Sequence, residues 1–128
     1  MKDKLLIGFS EINLTPDRRV SLSGQFAPRI SDSVETHVIR FGYVAIATNP
    51  FELFLDYGNQ MRARSLAAQT FIVQLACGSE GYLPTARAER GGHYSAYVSS
   101  GITGHAGGDL LVRHTLAAIN ALFPLTNA

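Results

Sequence analysis

The sequence predicts one α/β domain over residues 1–128, with a mixed sheet that starts in a β-hairpin region, continues through one βαβ unit and is covered by a C-terminal helix. Two observations carry this prediction. Apolar runs at residues 44–48 and 70–76 flank a segment with helical spacing, so residues 43–76 have the order of a βαβ unit with parallel strands. A chain of 128 residues is also long enough for one real core and too short for two.

The N-terminal part is predicted to be rich in β-structure. Residues 5–14 form a predicted strand that stops at residues 15–17, where a proline presets φ and an aspartate can bond the backbone. Residues 18–35 contain glycine and proline as breakers and are expected to be irregular. Residues 37–41 alternate and meet the next strand through residues 42–43, which predicts a tight antiparallel hairpin.

The helix of the βαβ unit is predicted to start directly after its first strand. Asn49 is a good N-cap and Pro50 suits the first helical position. Glu52 is therefore expected on the first helical turn, at the sheet edge where α/β proteins collect ligands. Its spacing from Asn49 is also that of a capping box, so its carboxylate could instead bond the backbone N–H of Asn49. The residues at helical spacing are Phe54, Tyr57, Gly58 and Met61.

The stretch 78–108 is the least ordinary part of the chain, since it holds eight of the twelve glycines and no sustained helical period. A loop of that length in a compact domain is usually functional or disordered. Aromatic residues beside glycines, at 81–85 and 91–96, favour an ordered functional site. Cys77, just before this stretch, is expected to be an inert packed thiol that ends a buried strand.

The last element is predicted to be a helix from about Gly108 to Phe123, with Asp109 in its first turn and Pro124 as its stop. Its apolar face should cover the sheet. That face comprises Leu111, Thr115, Ala118, Ile119 and Leu122.

Composition limits the classes of partner. The net charge is +1 and the basic residues are scattered, which argues against nucleic acid or an anionic membrane as a partner. Charged residues make up 16% of the chain, whereas about 25% is typical of soluble domains. We therefore expect part of the surface to be covered by self-association.

The cellular compartment is expected to be the cytoplasm. The chain has one cysteine and thus no internal disulfide framework. Residues 1–9 lack the apolar core of a signal peptide. No run approaches the roughly 18 apolar residues of a transmembrane segment.

Most of the chain resembles one hydrolase family. The run from His37 to Phe123 resembles the carboxyl-terminal part of the neutral ceramidase-like hydrolases, above all the shorter bacterial members, through VAIATNPFELFLDYG, ARSLAAQTFIVQLACGSEGYLPTARAERGGHYSA and GGDLLVRHTLAAINALF. The N-terminal segment IGFSEINLTPDRRVSLSGQFAPRIS resembles the first strand and loop of the same proteins. The family carries a large central segment between these pieces, and the joint in this chain lies near Ser33 to Glu35.

The resemblance implies part of a zinc site. Neutral ceramidases are zinc amidases that cleave N-acyl sphingoid bases, with two histidines, one glutamate and one tyrosine as ligands. Glu52 matches the glutamate, and Tyr82 in the segment GYLPT resembles the tyrosine. Both histidines and the nucleophilic serine belong to the central segment, so the catalytic residues of this chain stay unassigned. Tyr82 could alternatively just cover the sheet edge.

Other residues are candidates for completing or flanking this site. His93 and His105 lie in the glycine-rich stretch and could complete a metal shell, although loop histidines without a diagnostic spacing are more often solvated. Thr85 and Tyr94 are candidates for contacts with a small-molecule amide or lipid-like ligand. Glu52 and Tyr82 are predicted to lie at one edge of one sheet, because each follows a strand of the βαβ unit.

Three functions remain open from the sequence. The chain could be a metal-dependent amide hydrolase of ceramidase type, a non-catalytic homologue that binds a small molecule or a partner, or a fragment of a larger hydrolase. Because the implied nucleophile and histidine ligands are both missing, we expect a homologue that is inactive alone. Zinc is the cofactor that the resemblance implies.

Overall fold

A computed structural model describes residues 6–13, 20–22, 29–31, 34–97 and 100–124. The described part is a mixed α/β structure, as predicted. Its elements in chain order are β1 Ile7–Asn13, β2 Val20–Leu22, β3 Arg29–Ser31, β4 Glu35–Phe41, β5 Val44–Thr48, β6 Glu52–Leu53, α1 Leu55–Arg64, β7 Gln69–Val73, β8 Tyr82–Leu83, α2 Ala86–Gly91, a 3₁₀ helix Tyr94–Ala96 and α3 Gly104–Leu122.

The main sheet has four strands in the order β1-β4-β5-β7. Strand β4 pairs antiparallel with both β1 and β5, and β5 pairs parallel with β7 across α1. The turn between β4 and β5 places Gly42 at φ 61°, a conformation that glycine adopts without steric cost. The predicted hairpin and the predicted βαβ unit are both confirmed.

The prediction for residues 18–35 is wrong in part. Strands β2 and β3 lie within this range and pair antiparallel with each other. Each has three residues, which is too short for apolar periodicity to reveal a strand. The outer residues of the first predicted strand, Leu5 and Leu14, and the predicted turn at 15–17 lie outside the described residues.

The predicted start of α1 is wrong by about one and a half turns. The helix begins at Leu55 with Phe54 as its N-cap. Asn49 does not cap it, because its Oδ1 accepts the backbone N–H of Phe51 at 3.1 Å in a local turn. The N–H of Asn49 donates to the carbonyl of Val73 at 3.0 Å, so it does not bond Glu52 as a capping box would require. Glu52 therefore lies on a strand, β6, and not on a helical turn.

Helices α1 and α3 cover one face of the main sheet. One buried cluster joins the sheet to α3 and consists of Val38, Ala45, Ala47, Ala118, Ile119 and Phe123. A second cluster joins α1 and α3 to the small sheet of β6 and β8, with Tyr57, Met61 and Leu83 among its most buried side chains. The opposite face of the main sheet is largely apolar, and its large side chains are exposed.

Helix α3 confirms the predicted covering role but starts at Gly104 and not at Gly108. Asp109 therefore lies beyond its first turn. The early start has a tertiary cause, because a carboxylate oxygen of Glu89 accepts the backbone N–H of His105 at 2.6 Å and satisfies one of the free donors of the first turn. Of the predicted apolar face, Leu111, Thr115, Ala118 and Ile119 are buried and Leu122 is half-buried.

The glycine-rich stretch is ordered by short elements, including α2, which was not predicted. Thr85 caps the start of α2, and Gly92 ends it in a left-handed conformation with φ 69°. Cys77 is exposed, so the prediction of a packed thiol is wrong. Strand β7 stops at Val73, which leaves Cys77 in the following loop. In the described part of the chain, no helix has the length and apolar character needed to span a bilayer.

Candidate functional site

Glu52 and Tyr82 are direct neighbours. They are register partners in the parallel pair β6–β8, a two-stranded sheet separate from the main one. The Tyr82 hydroxyl donates a hydrogen bond to the Glu52 carboxylate. The predicted proximity is therefore present, although the two residues lie on their own small strands and not after the ends of β5 and β7.

Electrostatics favour the neutral phenol of Tyr82 in this pair. The hydrogen bond to Glu52 is the main cause that raises the pKa of Tyr82, and the negative charge of Glu52, burial and Tyr94 add to it. A raised pKa favours the neutral phenol, whereas a tyrosine that binds a metal does so through its oxygen anion. A cation bound by the Tyr82 oxygen would have to displace the phenolic proton.

Tyr94 extends this pair on the surface. Its ring meets the ring of Tyr82 edge-on, with 6.1 Å between the centroids and 76° between the planes. The Tyr94 carbonyl accepts the hydroxyl of Ser100 at 2.9 Å, which fixes the 3₁₀ helix locally. Because the Tyr94 side chain is exposed, it is placed where a ligand of the Glu52–Tyr82 pair would contact it.

Thr85 has a structural role. Its Oγ1 accepts the backbone N–H of Ala88 at 3.2 Å and so caps α2. The hydroxyl retains its own proton for a further partner, but its position is set by the helix start.

The two candidate histidines have other partners. His93 Nδ1 lies 3.0 Å from Ser95 Oγ on the surface. His105 Nδ1 lies 2.5 Å from Glu89 Oε2. The predicted metal ligands therefore fall into three separate arrangements, and the described residues contain no group of three or more His, Cys, Asp or Glu side chains that could hold a metal ion.

A cavity of about 320 Å³ lies beside the strand that carries Tyr82. Its volume is at the lower end of the range for small-molecule sites. Most of its lining is apolar or small, and Glu89 and His105 supply the charged and ionisable groups. The lining residues are Pro84, Glu89, Ala96, Tyr97, Gly101, Ile102, Thr103, Gly104, His105 and Ala106.

Tyr57 fixes two walls of this cavity to the core. Its hydroxyl donates to the carbonyl of Pro84 at 2.8 Å and also lies 3.2 Å from the carbonyl of His105. Since the Tyr57 side chain is buried, the segment after β8 and the start of α3 are held at a fixed separation. The cavity is thus preformed by the core.

Glu89 orients the imidazole of His105. Burial pushes the pKa of Glu89 upward, but the hydrogen bonds from the ring and backbone N–H of His105, together with the charge of His105, outweigh it and lower the pKa of Glu89. The ionised carboxylate accepts from Nδ1–H, which leaves Nε2 as the nitrogen available to a ligand. In its neutral form, an imidazole held in this way accepts at Nε2 a hydrogen bond from a hydroxyl or an amide N–H.

Glu89 and Tyr57 are the site residues that sequence reasoning missed. For α2 a local signal was present, since Thr85 is followed by helix-forming residues and then by Gly91 and Gly92. No local signal pairs Glu89 with a residue sixteen positions later. Tyr57 was predicted as an apolar helix residue, and its hydroxyl contacts depend on the packing of α1 against α3.

Comparisons with protein-family models, with curated proteins and with solved structures find no match. The resemblance to the neutral ceramidase-like hydrolases therefore stays a prediction.

The Glu52→Gln substitution is expected to lower the pKa of Tyr82 toward the value of about 10 for a free tyrosine, because it removes the negative charge beside the phenol. The measurement is a pH titration of tyrosine labelled with ¹³C at Cζ, with Tyr82→Phe to assign the signal. Glu35→Gln, at an exposed glutamate on β4, is the matched control. An unchanged Tyr82 titration in Glu52→Gln would contradict the pairing.

Proposed function

We propose that this protein is a ceramidase-like hydrolase homologue that binds a small amide or lipid-like molecule and does not hydrolyse it alone. The observation that carries the proposal is the cavity of about 320 Å³ with the oriented Glu89–His105 pair in its wall. The backbone of Gly101, in the cavity lining, pairs with Gly81 next to Tyr82. The cavity and the Glu52–Tyr82 pair therefore belong to one region.

The chemistry of the lining supports a ligand with an apolar body and one hydrogen-bonding group. Pro84, Tyr97 and Ile102 offer apolar surface for a short acyl chain. The Nε2 of His105, which has no hydrogen-bond partner among the described residues, suits a hydroxyl or amide N–H of the ligand. Small-molecule sites are usually mostly apolar cavities with a few polar groups.

The donor groups do not fit the zinc shell that the resemblance implies. A catalytic zinc site usually has three protein ligands and one open position. Glu52 and Tyr82 offer two oxygens, which already interact with each other through a hydrogen bond, while His105 is bonded to Glu89. Zinc bound by the two oxygens alone would be held weakly, and the nucleophile and histidines of the family belong to its central segment.

We expect a short-chain N-acyl amino alcohol to bind in this cavity without turnover, even with added zinc. The Ala106→Phe substitution places a large ring at an exposed position of the lining and is expected to weaken binding by about tenfold or more, or roughly 1.4 kcal/mol. Ala117→Phe, at an exposed position elsewhere on the same helix, is the matched control and should leave binding unchanged. Calorimetry measures the binding, and an amide-hydrolysis assay measures turnover.

Two results would count against this proposal. Equal affinity of wild type and Ala106→Phe would remove the cavity as the ligand site. Zinc-dependent turnover that is lost in Glu52→Ala, or in a His93→Ala, His105→Ala double variant, would show an active metal site.

Self-association in the cytoplasm is a further part of the proposal. The low charged fraction of 16% supports a partly covered surface. Exposed large apolar side chains on the main sheet support it as well. The single cysteine is an exposed free thiol, which suits a reducing compartment.

A further inference from the structure

The open face of the main sheet carries a continuous apolar row. Phe9 is the register partner of Ile39, Ile39 of Ile46, and Ile46 of Phe71, so the row crosses all four strands. A second row runs beside it through Ile7, Phe41 and Val44. The intervening residues on each strand point to the opposite face, which α1 and α3 cover.

The exposed area of this face is large for a chain of 128 residues. Six of its side chains keep between 37% and 70% of their surface exposed. With full areas of about 150–250 Å² for an aromatic residue, the face exposes on the order of 600 Å² of apolar surface. That is the upper end of the largest patch on a typical monomer, and such patches are often functional. The six residues are Ile7, Phe9, Ile39, Phe41, Phe71 and Val73.

The two apolar rows contain no charged residue to desolvate. Among the side chains that the structure describes, the charged residue of this face is Glu35, at the end of β4. The carboxylate of Glu35 lies 2.8 Å from Nε2 of His37, whose ring in turn lies 5.6 Å from that of Phe9. The apolar rows offer no charged groups that could pair with a strongly charged partner. They are complementary to a second apolar sheet.

We propose that this face is the interface of a homodimer in which two sheets pack face to face. The inference rests on the proposed self-association and names its surface. A two-fold dimer needs a patch that is complementary to itself, and a face with two apolar rows meets that condition. Two copies would bury on the order of 1,200 Å² in total, the lower end of the range for stable interfaces. Sheets packed in this way lie about 10 Å apart with strands nearly aligned.

The test is the dimer dissociation constant, measured by analytical ultracentrifugation, for wild type, Ile39→Glu and Phe71→Glu. Ile39 is on the central strand β4 and Phe71 on the edge strand β7. Both side chains are exposed, so the substitutions should not unfold the chain, and circular dichroism checks this. Each glutamate would be buried unpaired in the interface, and we expect about 30-fold weaker dimerisation or more. Leu55→Glu is the matched control at a side chain of α1 that is 72% exposed, and its effect should stay within about twofold.

The possible results test the proposed surface and the proposed self-association separately. A dimer that both sheet variants weaken supports the proposal. If neither variant weakens the dimer, the dimer uses another surface. If only Phe71→Glu weakens it, the two copies pair through the edge of β7. Either result overturns the proposed interface but leaves the proposed self-association intact. A monomeric wild type overturns both, and would fit a fragment of a larger hydrolase whose other segments cover the sheet.

Discussion

Replacing Gly108 with alanine is expected to destabilise the protein by about 3 kcal/mol, which is at the upper end for overpacking of a core. A β-carbon on Gly108 would lie 2.2 Å from Cζ and 2.4 Å from Oη of Tyr57. The Tyr57 ring is 2% exposed and its hydroxyl is bonded to Pro84, so it has no free direction in which to move. At an open position of a helix the same change would stabilise by up to about 1 kcal/mol.

Gly58→Ala is the matched control, because Gly58 is also a helical glycine on a buried position. The nearest atom to its added β-carbon is Nη1 of Arg62 at 3.3 Å, the far end of a flexible side chain. We expect this variant to be more stable than wild type by about 0.5–1 kcal/mol. Urea unfolding measures both changes. In a Tyr57→Leu background the cost of Gly108→Ala should shrink, and an equal cost in both backgrounds would contradict the proposed clash.

The Tyr57→Phe variant is expected to lose about 1–2 kcal/mol of stability at neutral pH. The substitution keeps the ring and removes the hydroxyl that donates to Pro84 and lies beside the carbonyl of His105. The buried carbonyl of Pro84 then lacks its partner. Because these contacts hold two walls of the cavity, ligand binding should weaken together with stability. Tyr43→Phe, at an exposed tyrosine of the hairpin, should change stability by less than about 0.5 kcal/mol.

The same hydroxyl predicts a specific loss of stability in alkali. Burial raises the pKa of Tyr57 to about 12, and the charges of Asp109, Glu89 and Asp56 add to it. An unfolded tyrosine ionises near pH 10, so above that pH the unfolded state releases its proton before the folded state does. Stability from this group is therefore complete below about pH 10 and falls as the pH rises toward 12. Urea unfolding across this range should show a smaller decline for Tyr57→Phe than for wild type, and parallel declines would contradict the assignment.

The candidate site was predictable only in part. Glu52 and Tyr82 could be placed together from the order of strands and from the family resemblance, and they are register partners. The contact between Glu89 and His105 had no local signal. Thr85 looked like a ligand contact from its position after Tyr82, but its hydroxyl oxygen accepts a backbone N–H of α2. A side chain's role is set by the partner that the fold brings to it.

The sequence by itself determined the hairpin, the parallel βαβ unit and the helix over the sheet. Alternation along β4 and the apolar runs of β5 and β7 are local patterns with strong periods. The helical period likewise predicted four of the seven buried residues of α3, namely Leu111, Thr115, Ala118 and Ile119. These features follow from the sequence because a helix or strand must bury its own apolar stripe, whichever partner covers it.

Only the tertiary structure decided where α1 and α3 begin and which face of the sheet is covered. The side chain of Asn49 accepts the backbone N–H of Phe51, and β6 pairs with β8, so α1 starts only at Leu55. The carboxylate of Glu89 accepts a first-turn N–H of α3 and so supports its earlier start. Alternation separates the two faces of a strand but does not say which one a helix will cover. Each of these features depends on groups that are distant in sequence and compete for the same hydrogen bonds or the same apolar surface. A local sequence pattern therefore cannot predict them.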